Sequence, residues 1–135
     1  MDYKVADIEG IGESYAQALN KIGITTVEEL LGRCESAKGR MEVAELTGIS
    51  PKLILKWTNH ADLFRIRGIG PQFAELLEAA GVDTVKELRH RNSENLAAKL
   101  AEVNAEKKLT RRVPNADELQ RMIDEAIVTE PVVTY

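Results

Sequence analysis

Two short stretches hold residues that could do chemistry through main chain rather than side chain. "IRGIGPQ" runs from Ile66 to Gln72 and "IEGIGES" from Ile8 to Ser14. Glycine tolerates positive φ and lets another backbone or a ligand approach closely. Where such a turn opens a helix, the amides that follow have no intrahelical acceptor. Those amides, backed by the helix dipole, suit an anion, typically a phosphate. In the second stretch Gly68, Ile69, Gly70 and Gln72 form the candidate turn, Arg67 stands beside it and Arg65 lies two residues back. Pro71 removes one amide and leaves its neighbours. In the first stretch Gly10, Ile11, Gly12 and Ser14 occupy the same places, but Glu9 replaces Arg67 and Glu13 replaces Pro71. A carboxylate at a helix N-terminus is stabilising by roughly 0.3–1 kcal/mol, so the first turn is expected to fill its own anion site and to repel a phosphate. The second turn is therefore the candidate anion contact. The first is a weaker candidate, expected to serve structure or protein binding.

More cations follow at Lys107, Lys108, Arg111 and Arg112, and at Arg89-His90-Arg91. A run of charge also reads simply as a solvated face. If Arg67 and three cations of the 107–112 cluster each met a phosphate, log K would fall with log salt at a slope of roughly -3.6.

No catalytic constellation is visible. His60 and His90 are isolated from one another and from cysteine, so zinc is not expected and both read as surface residues. Cys34 lies in a Gly/Arg/Ser stretch read as a loop, with no base nearby to activate it. No GxxxxGK[ST] loop exists. The chain reads as a non-enzyme without cofactor or metal.

The elements that must position these turns are helices. Residues 8–31 slide onto 66–89 at an offset of 58 with eleven of 24 identities, and the likeness continues at an offset of 54 through Ala44/Ala98, Leu46/Leu100 and Ile49/Val103. Ser50 and Asn104 align as helix N-cap candidates. Pro71 suits a first helical position. Phe73, Ala74, Leu77 and Ala80 follow at helical spacing before Gly81. Thr84 with Glu87, and Thr26 with Glu29, are capping-box patterns. Ser50-Pro51 opens a helix with Leu53, Ile54, Trp57, Ala61 and Phe64 as its apolar stripe and Lys52, Lys56 and His60 opposite. Trp57 reads as core. Residues 96–103 predict a short helix, and residues 116–127 a last one with Leu119, Met122, Ile123 and Ile127 inward. Only residues 128–135 look strand-like, and they read as a tail or a small partner-binding segment.

At this point the residues carry a resemblance. "IRGIGPQFAELLEAAGVDTVKEL" and "IEGIGESYAQALNKIGITTVEEL" both resemble the helix-hairpin-helix (HhH) motif, found in DNA ligases, repair polymerases, Holliday-junction proteins and DNA-uptake proteins. In those proteins the hairpin amides hold a backbone phosphate without reading sequence. The tandem arrangement over about residues 1–127 resembles an uncharacterised bacterial family of unknown function with paired HhH motifs. The resemblance implies phosphate contact at Gly68, Ile69, Gly70 and Gln72. Related elements also serve purely as packing or protein-docking units.

The bulk properties bound these readings. At 135 residues the chain is about one ordinary domain that needs no disulfide, and its single cysteine allows none within the chain. Net charge of -4 argues against a strong whole-surface nucleic-acid binder, and 4% aromatics argue against a base-stacking surface. No segment reaches the ~20 apolar residues of a membrane helix, and no signal peptide is seen, so a cytoplasmic protein is expected. The expected fold is all-α: two duplicated multi-helix units, 1–62 with hairpin 8–14 and 63–127 with hairpin 66–72, packed as one compact body, then a tail at 128–135. The expected function is a sequence-independent DNA-binding accessory protein, weak and non-specific, with a protein scaffold or adaptor as the alternative. Self-association is left open, because the helix before Gly10 is short and one side of it needs a cover.

Overall fold

The computed structural model describes residues 3–135. The fold is all-helical. Among the described residues there are eight α-helices: α1 (Gly12–Lys21), α2 (Val27–Cys34), α3 (Ala37–Thr47), α4 (Pro51–Leu63), α5 (Pro71–Ala79), α6 (Val85–Leu88), α7 (Ser93–Lys107) and α8 (Ala116–Val128). A 3₁₀ turn, Val5–Asp7, precedes them, and a bridge pairs Lys4 with Thr26. None of these helices is long and apolar enough to cross a membrane. The chain divides into two units: one runs to Asp62 and takes in Val132–Tyr135, and the other is Leu63–Pro131.

In the first unit Ile8, Ile11, Leu19, Ile24, Leu30 and Trp57 are almost fully buried. Thr26 starts α2 by accepting from the Glu29 amide at 3.1 Å, while Glu29 Oε1 accepts from the Thr26 and Thr25 amides at 2.9 and 3.0 Å. Those donors, Thr26 first, hold the Glu29 carboxyl below the usual range. α2 packs on α3. α3 has no counterpart among the sequence expectations, and its side chains explain why. Its inner face buries Arg40 along with Val43 and Ala44, while Met41 and Leu46 face outward at 52% and 63% exposure, so the apolar period is blurred.

Two more expectations for this unit need correction. Cys34 is not in a loop; it is the last residue of α2 and fully buried, and burial pushes its thiol pKa up. His60 is not on the surface. Thr58, Asn59, His60 and Asp62 are all buried, so α4 is covered around most of its circumference and its charged side does not extend past Lys56.

In the second unit α7 packs on α8 and on α5, and α6 packs on α8. Ile66, Ile69, Leu77, Val82, Leu88, Leu100 and Leu119 form a fully buried core. The predicted 96–103 helix extends to Ser93–Lys107, because Asn92 caps it through the Asn95 amide at 3.0 Å. Asn104 is therefore interior to α7 and caps no helix. Ile127 does not close the stripe of α8; it is 54% exposed one residue before the helix ends. Arg89 is no solvated charge either. Its Nη2 donates to the carbonyls of Ala126, Ile127 and Thr129 at 3.1, 3.2 and 2.8 Å, where it closes the C-terminus of α8. Residues 129–135 form no strand.

Candidate functional site

The second turn is held from below and covered in part from the side. Ile69 is fully buried, and its amide donates to Ile66 O at 3.2 Å. That amide has no proton left for a ligand, so Ile69 serves the turn only as its anchor. Gly68 has φ +96°, in the left-handed region, and a Cβ there would lie 3.1 Å from both Arg121 Nη2 and Met122 Cε on α8. The backbone bend favours glycine, and a methyl there would also have to displace the ends of two side chains of α8. Gly70, extended at φ -107° and ψ -173°, is the N-cap of α5 with no side chain capping it, and Pro71 takes the first helical position. Among the described residues no acceptor faces the amides of Gly70, Gln72 or Phe73.

The loop after α7 lines the same cleft as these residues. Lys108 ends α7 in a left-handed conformation (φ 52°), with its amide on Asn104 O at 2.8 Å. The Asn104 side chain then shapes the loop: Oδ1 accepts from the Leu109 and Thr110 amides at 2.8 and 3.0 Å, and Nδ2 donates to Thr110 O at 2.9 Å. Thr110 Oγ1 donates to Arg112 O at 2.9 Å. This network fixes where Lys108, Arg111 and Arg112 emerge. Together with Gly68, Gly70, Gln72, Phe73 and, on α8, Glu118, Arg121 and Met122, they line an open cleft of about 1040 Å³.

The cations of the cleft are not equivalent. Arg112 is held in a fork by Glu118, with Nη1 to Oε1 at 2.8 Å and Nη2 to Oε2 at 2.6 Å. Glu118 also accepts from the Asn115 amide at 3.2 Å. The Arg112 fork, then that amide, depress the Glu118 pKa to about 2, and Glu118 raises that of Arg112. Arg121 donates to Arg67 O at 3.2 Å and stands 3.7 Å from Glu125 Oε1. Lys108 and Arg111 are exposed and have no carboxylate partner among the described residues.

Sequence reasoning placed Gly68, Gly70, Gln72, Lys108, Arg111 and Arg112 in one site, and the structure brings those six to one cleft. Three others stand elsewhere. Arg65 Nη1 donates to Glu130 O at 2.9 Å, the Arg67 side chain is exposed outside the cleft lining, and Lys107 is exposed at the end of α7. The main chain of Arg67 is engaged instead: its amide donates to Glu125 Oε2 at 3.1 Å. Arg121, Glu118 and Glu125 were missed. They sit on the polar side of α8 some fifty residues from the turn, and no spacing rule connects them to it.

The first turn differs from expectation in the opposite sense. Gly10 and Gly12 both have positive φ, +89° and +67°, and open space where a Cβ would stand. Ile11 is buried and its amide donates to Ile8 O at 3.2 Å. No side chain caps α1: Glu13 Oε1 accepts instead from Gln17 Nε2 at 3.3 Å, and Ser14 is exposed. The expected internal carboxylate does not fill this turn. The carboxylate that does reach a turn is Glu125, at the second.

A family model described as "Domain of unknown function (DUF4332)" matches residues 9–128. No curated protein and no solved structure matches the chain.

Proposed function

Because the chain belongs to this family, whose description assigns no activity, we propose from the cleft itself that it is a non-enzymatic protein that binds the DNA backbone without reading sequence. In this reading the two turns are helix-hairpin-helix elements of a duplicated chain, and the second is the working copy. One observation carries it: Gly70, Gln72 and Phe73, whose amides are unfilled, line the same cleft as Lys108 and Arg111, which have no carboxylate partner among the described residues. Aligned main-chain donors and free cations suit a phosphodiester, and phosphate contacts position a duplex without specifying it. The cleft is large enough for a sugar-phosphate segment, and the one aromatic side chain in its lining, Phe73, is buried and offers little face on which a base would stack.

Strength follows from the cations that remain free. With Arg112 given to Glu118 and Arg121 to Glu125 and Arg67 O, about two phosphate contacts are left, and the salt slope is roughly -1.8 rather than -3.6. Binding then falls in the non-specific range of ~10⁻⁴–10⁻⁶ M at physiological salt. The test is duplex binding by fluorescence anisotropy at two salt concentrations, comparing the wild type with Arg111→Glu and Lys108→Glu. Salt-sensitive binding that both variants lose supports the reading; binding that both retain at full strength removes the cleft from it.

A protein-docking reading is favoured by a separate observation, the more than half-exposed Met41 and Leu46 on α3 and Ile127 and Val128 at the end of α8. Absence of duplex binding even at low salt selects that reading.

A further inference from the structure

Residues 132–135 offer a second kind of recognition, independent of the cleft. Arg40 projects from α3 into the corner where α2 ends and is only 6% exposed. Its Nη1 donates to Cys34 O and Glu35 O at 2.9 and 3.0 Å, so the carbonyls that close α2 hold the guanidinium in place. Its Nη2 is left to reach outward, and donates to Thr134 O at 2.5 Å. The Thr134 amide returns a bond to Glu35 O at 2.8 Å. One extended residue is thus gripped on both its main-chain groups. The next residue, Tyr135, lies with its ring centroid 5.7 Å from Arg40 Cζ, over the same guanidinium.

This is how a sheet edge takes a peptide: main-chain bonds give affinity, and a pocket or platform for the neighbouring side chain gives selectivity. Here a positioned Arg and one helix-end carbonyl stand in for the edge strand. The occupant lies at the surface. Residues 129–135 have no regular structure, and Thr134 and Tyr135 are exposed. An exposed segment outside regular structure can open locally while the rest of the unit stays folded. When it does, Arg40 Nη2 and Glu35 O become a donor and an acceptor set to receive another extended residue.

We infer that the Arg40 corner is a peptide-docking site for an extended segment with an aromatic residue, and that the chain's own Val132-Val133-Thr134-Tyr135 occupies it in cis. Tethering gives that segment a local concentration in the millimolar range, so a free peptide competes poorly until the cis segment is loosened.

The probe is fluorescein-labelled Val-Val-Thr-Tyr-amide, added to the full chain and followed by anisotropy. The cis segment is loosened by Thr134→Pro, which removes the donated N–H, combined with Tyr135→Ala. The double variant is expected to bind the peptide at least about tenfold more tightly than the wild type. Adding Arg40→Lys, which keeps charge but loses the two-sided fork, is expected to abolish that gain with the helical circular dichroism unchanged. Should Arg40→Lys unfold, the peptide Val-Val-Thr-Ala-amide replaces it as the test and is expected to bind the double variant several-fold more weakly. A folded double variant that takes up no more peptide than the wild type overturns the inference. So does peptide binding indifferent to both Arg40→Lys and loss of the peptide's aromatic ring.

Discussion

The turn at Gly10–Gly12 and the turn at Gly68–Gly70 are built alike below and differently in front. Each hangs on a buried isoleucine whose amide is bonded three residues back, and each bends through a left-handed glycine. The first then faces open space. The second faces α8, which brings Arg121 and Met122 against Gly68 and Glu125 onto the Arg67 amide, and the loop after α7, which brings the cations. The local residues alone point the other way, since the glutamates flank the first turn and an arginine the second. What surrounds a turn is set less by its own flanks than by the elements that pack beside it.

The largest effects test what the turns share. Ile11→Ala and Ile69→Ala each remove a buried side chain and should each cost about 2–5 kcal/mol in urea unfolding. A much smaller loss at one position would show that its turn is not anchored as described. The next test separates the turns. Ala at a left-handed glycine costs about 1–2 kcal/mol, so Gly10→Ala and Gly68→Ala should both destabilise. Gly68→Ala should cost more, because its methyl meets Arg121 and Met122 at 3.1 Å while that of Gly10 meets nothing. Equal losses would mean that α8 yields without strain.

An acid titration follows in size. The folded Glu118 pKa is about 2, below the ordinary value of about 4.3. Its contribution is therefore complete above that ordinary value and is lost as pH falls through about 2. Glu29 in the first unit is shifted in the same direction, chiefly by the Thr26 amide. Glu118→Gln should flatten the acid limb of the stability curve without affecting stability changes above neutral pH, and an unaltered acid limb would contradict the Arg112 fork. The smallest effect is expected from Glu125→Gln. Removing a carboxylate from the Arg67 amide should tighten duplex binding by about two- to fivefold at low salt, the size of a weak charge contact. No change, or weaker binding, would show that Glu125 does not compete with an anion.

Much of the framework was legible in the sequence because its signals are local. Pro71 at a first helical position, the Thr26–Glu29 capping box and the inward Leu119, Met122 and Ile123 all depend on neighbours within a few residues, and each stands where its spacing put it. The cleft was half legible: the turn and the 107–112 cations were named, but which cations stay free was not. Arg112 is neutralised by Glu118 across a loop, and Arg121 is spent on a carbonyl and a carboxylate. Those pairings depend on the path of residues 108–115, which Asn104 sets from inside α7. The aligned serine at position 50, by contrast, precedes a proline and starts a helix, so the alignment itself concealed the role of Asn104. α3 went unread and His60 was placed at the surface for a related reason: a buried polar side chain reads, from sequence, as a solvent-facing one.

The most direct test of the claim that the second turn holds the phosphate is a backbone-amide NMR titration with a short duplex of arbitrary sequence. The amide protons of Gly70, Gln72 and Phe73 should move saturably, together with those of Lys108 and Arg111, while those of Gly12, Glu13 and Ser14 stay in place. Movement confined to the first turn, or equal at both, would contradict the account.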